Sequence, residues 1–146
     1  MNIAVDGLRT SAGDWEAVRN IPREQLPPLN ERQREVARKL KISEEDYARS
    51  ALAGERTRGI LFAKTEKLAR FLEKEIGKLR PEAKLVQITL RTLDHRFDVE
   101  IQEDQAVIPL RISEDLIDDL FESGSAEAEQ RLTRILNIAF QVREHQ

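Results

Sequence analysis

The chain places a histidine among carboxylates in one stretch, Asp94-His95-Arg96-Phe97-Asp98. A histidine with two acids can relay a proton or begin a metal site, but ligation needs a third, correctly aimed donor, and Asp and His also favour turns for conformational reasons. His145, the other histidine, stands one residue from the end of the sequence. A second acidic group, Asp115, Asp118, Asp119 and Glu122, recurs at i, i+3, i+4 and i+7, so it forms one ridge along a helix. Paired carboxylates do acid-base or magnesium chemistry only where a pocket fixes their separation, and an exposed ridge supplies none.

Positive charge offers a different chemistry. Arg56-Thr57-Arg58 precedes Gly59, and two guanidinium forks beside free backbone N–H groups at a helix start would suit an oxyanion. From Arg49 to Arg80 there are nine bases against four acids. Yet Lys64, Lys67, Lys74 and Lys78 alternate with Glu66, Glu73 and Glu75, as they would on a solvated helix face. The pair of helices expected over 30–52 has the outline of a DNA-binding helix-turn-helix. Its second helix opens on Glu44-Glu45-Asp46, however, which phosphates would repel, while the bases Arg32, Arg34, Arg38, Lys39 and Lys41 sit on the first. There is no Gly-rich phosphate loop, G-x-S-x-G, H-E-x-x-H or EF-hand pattern, so most familiar enzyme classes lack their minimum equipment.

The elements that must carry these residues follow from hydrophobic rhythm. With 146 residues, 35% charged and 40% hydrophobic, the chain has room for one main domain. The absence of cysteine removes disulfides, thiolate nucleophiles and thiolate metal sites and fits a cytoplasmic setting. The apolar runs are too short for a membrane span, and the start lacks the basic and long apolar segments of a secretory signal. Residues 1–80 carry 17 lysines and arginines against 13 acids, a net of +4; residues 81–146 carry 7 against 14, a net of −7.

Residues 1–28 read as an arm, with a short strand at Ile3–Val5, a helical turn at 14–20 and Trp15 as its anchor beside Val18 and Ile21. A single α+β domain is expected over 29–146. Asn30 with Gln33 forms a capping box for a helix of about ten residues, and Ser43 with Asp46 opens another. Gly54 and Gly59 predict a break or a kink, since each costs about 1 kcal/mol in a helix relative to alanine. Leu61, Thr65, Leu68, Leu72, Ile76 and Leu79 then predict an amphipathic helix ending at 77–81.

At Lys84 the period changes to two. Val86, Ile88 and Leu90, then Phe97, Val99 and Ile101, then Ala106, Ile108, Leu110 and Ile112 predict a three-stranded antiparallel meander. A turn at Asp94-His95 sets Leu90 opposite Val99 and Ile88 opposite Ile101. A turn at Glu103-Asp104 sets Val99 opposite Ile108 and Phe97 opposite Leu110. Two C-terminal helices pack on the apolar face of this sheet, one from Ser113 to Phe121 and one from Ser125 onward. The last has so wide an apolar surface that it must be central or meet a partner.

These patterns lead to an expectation of a non-enzymatic cytoplasmic protein-protein interaction or regulatory domain, homo-oligomeric, with no cofactor, metal or membrane contact. The first meander strand, 84–92, is an open edge for a second copy or for Ile3–Val5, whereas Pro109 discourages pairing on the third. The alternative is a nucleic-acid or phosphate-binding module using Arg32, Arg38, Arg56, Arg58 and Lys64. A hydrolase or metal site at Asp94, His95 and Asp98 is the third.

Overall fold

In the computed structural model, which describes residues 1–7 and 12–144, the chain is α+β, with five α-helices and a four-stranded mixed sheet among the described residues. The elements are β1 (Asn2–Asp6), α1 (Ala12–Arg19), a 3-10 turn (Arg23–Gln25), α2 (Glu31–Leu40), α3 (Glu44–Leu79), β2 (Lys84–Arg91), β3 (Arg96–Glu103), β4 (Ala106–Ser113), α4 (Glu114–Phe121) and α5 (Ala126–Glu144). Contacts divide the chain into two units, Met1–Gly7 with Leu61–Gln146, and Leu8–Ile60.

The first unit holds the sheet, in the order β1-β2-β3-β4. The expected three-stranded antiparallel meander is therefore incomplete: β1 adds a fourth strand, parallel to β2, with Ile3 beside Ile88 and Val5 beside Leu90. That pairing closes the edge expected to be open on β2, and the free edges belong to β1 and β4. Beyond the end of β1 the Thr92 N–H and hydroxyl both donate to the Asp6 carbonyl, at 3.0 and 3.1 Å. Gly7 follows at φ +84, where a Cβ would stand 2.7 Å from Thr92 Oγ1, so a side chain there would disturb the junction.

Both expected registers are displaced by two residues. Leu90 lies opposite Phe97 and Ile88 opposite Val99, so residues 92–95 form a four-residue loop. Val99 lies opposite Leu110 and Phe97 opposite Ile112, which moves the second turn to Asp104-Gln105, with Asp104 at φ +57. Because strand side chains alternate with period two, a two-residue shift keeps every apolar residue on its face. Val86 is the exception. An irregularity between Leu85 and Gln87 leaves Val86 exposed and turns Leu85 into the core, as an extra residue in a β-bulge does.

One face of the sheet is covered by the C-terminal part of α3, by α4 and by α5. Leu68, Leu72 and Ile76 from α3, Leu116, Ile117 and Leu120 from α4, and Leu132, Leu136 and Phe140 from α5 join Ile88, Leu90, Phe97, Val99, Ile101 and Ile112 in one buried cluster. Each large apolar side chain so buried contributes about 1.5–3 kcal/mol relative to exposure. Among the described residues no helix is long and apolar enough to cross a membrane.

In the second unit the two helix starts form as expected. Asn30 and Gln33 exchange side chain to backbone hydrogen bonds of 2.8 and 3.0 Å, and the Asp46 N–H donates to Ser43 Oγ at 3.0 Å. The turn between α2 and α3 is made by Lys41 at φ 58, with the Ile42 N–H donating to the Ala37 carbonyl. Two other expectations fail here. No break occurs at Gly54–Gly59, because α3 runs through both glycines for 36 residues. An exposed glycine costs the helix about 1 kcal/mol, less than the packing and hydrogen bonds on either side return. Trp15 is 39% exposed, while Asp14 and Val18 of α1 are buried. Arg49 ties this unit together by donating to the Ile21 carbonyl at 2.7 Å while pairing with Glu45.

Candidate functional site

Of the five residues expected to meet an anion, Arg32 and Arg38 lie on α2, and Arg56, Arg58 and Lys64 on α3. Arg56 and Arg58 lie within α3, where the backbone N–H groups that would have completed an oxyanion cradle belong to the helix. Arg56 Nε instead donates to Asp14 Oδ1 at 3.2 Å, beside Thr57 Oγ1, which donates to Asp14 Oδ2 at 2.8 Å. Arg32 and Arg38 are exposed on α2, and Arg58 is exposed on α3.

Lys64 is enclosed by acids. Its Nζ donates to Glu114 Oε2 at 2.9 Å and also pairs with Asp118. Burial pulls its pKa down, but the hydrogen bonds to Asp118 and Glu114 outweigh that and hold the ammonium above its ordinary range. Of the acidic ridge, Asp118 joins this cluster while Asp115, Asp119 and Glu122 face solvent. The acid that matters most here, Glu114, lies outside the i, i+3, i+4, i+7 pattern and is 4% exposed.

His95 and Asp98 lie on different elements, a loop and β3. His95 sits at φ 53 in the β2–β3 loop; its carbonyl accepts from the Glu114 N–H at 2.8 Å and its Nδ1 stands 3.6 Å from Glu114 Oε1. Asp98 belongs to a charge ladder on the open face of the sheet, bound at 3.0 Å by both Arg91 Nε and Arg96 Nε and approached by Arg111 at 4.0 Å. Arg91 also pairs with Asp6 on β1, so the ladder crosses all four strands. Burial raises the Asp98 pKa, but the hydrogen bonds from Arg91 and Arg96 outweigh that and hold it below the usual value. Among the described residues no group of three ligand-type side chains could hold a metal. His145 lies outside the described residues.

The remaining feature is apolar. A groove of about 420 Å³ runs between β4 and α5, lined by Val107, Leu110, Ile135, Ile138, Ala139 and Val142, with Arg111 and Arg143 at its rim. Val107 is 59% exposed, Ile138 52% and Val142 53%. Arg143 is committed within the chain, to Glu103 at 2.8 Å and to Asp104 at 3.4 Å. Residues 135–142 are the longest stretch of the sequence without a charged residue, in a chain that is 35% charged. The breadth of the apolar surface on α5 was legible in the sequence, but its overlap with the free edge of β4 was not, because that needs the helix placed on the sheet.

No family model matches the chain, and neither the curated proteins nor the solved structures contain a match to it.

Proposed function

We propose that this chain is a non-enzymatic, cytoplasmic protein-protein interaction domain that self-associates, and that the apolar groove between β4 and α5 is its contact surface. The observation that carries the reading is the exposure of Val107, Ile138 and Val142 on one groove whose helix carries no charge over 135–142. The cores of interfaces are depleted of charge, and a surface meeting its own copy must be compatible with itself. An apolar patch with arginines only at its rim meets that condition better than its more charged surroundings. The engagement of Lys64, Asp98, Arg56 and Glu114 in ion pairs within the chain supports a structural role for these charges.

Sedimentation equilibrium across the micromolar range tests the proposal. The native chain is expected to dimerise, and Ile138→Lys to weaken association by roughly 100-fold, since it removes apolar contact and sets two like charges together. A native chain that stays monomeric at high micromolar concentration overturns the reading.

A further inference from the structure

The Thr92 N–H donates to the Asp6 carbonyl at 3.0 Å, and Asp6 is in register with Arg91. In a parallel ladder a residue bonded in this way directs both of its backbone groups to the facing strand, and its two neighbours direct theirs the other way. Asn2, Ala4 and Asp6 therefore bond to β2. Ile3 and Val5 present their N–H and C=O groups at the outer edge of β1, where no strand pairs with it among the described residues. The other free edge differs. In the two-residue hairpin at Asp104-Gln105, Val107, Pro109 and Arg111 direct their backbone groups away from β3, and Pro109 has no N–H to donate at the middle of that edge. Exposed edges are ordinarily blunted by proline, charge or a bulge. The outer edge of β4 carries a proline and an arginine, whereas the outward residues of β1, Ile3 and Val5, carry neither device.

We infer that the outer edge of β1 pairs antiparallel with β1 of a second copy, about a two-fold axis at Ala4. This contact is separate from the one proposed between β4 and α5, which lies at the opposite edge of the sheet. The unpaired backbone groups call for an extended strand, and β1 matches itself. With the axis at Ala4, Ile3 stands opposite Val5 of the second copy as a hydrogen-bonded pair, and the axis repeats that pair, so every outward donor and acceptor finds a partner. Ala4 meets its own copy in the non-hydrogen-bonded position, where side chains approach most closely and a methyl group fits. Ile3 and Val5 pack against the core yet remain partly exposed, and across the axis they cover each other. On the open face Asp6 comes opposite the Asn2 amide, a donor. A parallel pairing would bring Asp6 beside its own copy, and like charges so placed oppose pairing. An axis at Val5 would set Ala4 against Asp6 and leave Ile3 without a partner.

The test uses the Ile138→Lys chain, in which the groove contact is broken, so that the two contacts are read separately. By sedimentation at high micromolar concentration this chain should still dimerise. Adding Val5→Pro should weaken that dimer roughly 10- to 100-fold, because it removes an outward N–H from each copy and no bond to β2. Circular dichroism checks that the variant keeps the native fold. The chain contains no cysteine, so each introduced thiol is unique. In the same background Ala4→Cys should oxidise from the 16.8 kDa band to a covalent dimer. Asn2→Cys should not, since its two copies would lie about 13 Å apart along the strands. A monomeric Ile138→Lys chain overturns the β1 pairing and leaves the groove contact standing. Association unchanged by Val5→Pro, or cross-linking at Asn2→Cys in place of Ala4→Cys, also overturns it. If Ile138→Lys associates as strongly as the native chain while Val5→Pro abolishes association, the β1 pairing stands and the groove reading falls.

Discussion

Lys64 Nζ lies 2.9 Å from Glu114 Oε2, fifty positions away, and joins the middle of α3 to the first residue of α4. A lysine that reads as part of a solvated basic face is thus the counterion of a carboxylate that is 4% exposed. Its value lies in leaving neither charge buried alone.

Lys64→Met should accordingly destabilise the fold by about 2 kcal/mol, below the cost of breaking a fully buried pair because Lys64 retains some solvent contact. Urea denaturation at neutral pH measures this. The double variant Lys64→Met, Glu114→Gln should recover part of the loss, and strictly additive losses would contradict the coupling. Since the folded pKa of Lys64 is raised, its contribution is fully present below the ordinary value of 10.5 and disappears as pH rises through the higher folded value.

Asp98 behaves with the opposite sign. Its folded pKa is depressed from 3.8, so its contribution is present above that value and is lost as pH falls toward the lower folded one. Asp98→Asn should reduce stability at pH 7 by about 1 kcal/mol, a modest figure for a partly exposed carboxylate. The difference from the native chain should shrink under acid. A carboxyl NMR titration of Asp98 with a midpoint above the ordinary value would refute the arginine ladder.

Gly59 and Gly77 lie within α3, and a Cβ at either meets nothing within 4 Å. Gly59→Ala and Gly77→Ala should each raise stability by about 0.5–1 kcal/mol, visible as a higher thermal midpoint. Destabilisation by Gly59→Ala would indicate that the helix is interrupted where α3 runs continuously.

With Arg56 and Lys64 engaged by acids of the same chain, three of the five bases, Arg32, Arg38 and Arg58, are left to meet a polyanion. Titration with duplex DNA and with RNA at low salt should show no saturable binding. An affinity that falls steeply as salt rises, the mark of released counterions, would favour the nucleic-acid module over the interaction domain.

The change of hydrophobic period at Lys84 and its reversal after Ser113 determined that the chain is α+β, which strand residues other than Leu85 and Val86 face the core, and where α4 and α5 begin. Those features depend on local alternation and on caps such as Asn30 with Gln33, so they can be read from neighbours in the chain. The register could not be read this way: a shift of two residues preserves every face, and only the geometry of the loops at 92–95 and at Asp104-Gln105 selects among the equivalents. The continuity of α3 through Gly54 and Gly59, the pairing of β1 with β2, and the capture of Lys64 by Glu114 were decided by tertiary structure. Each depends on groups far apart in sequence whose gain in packing or charge pairing outweighs a small local preference.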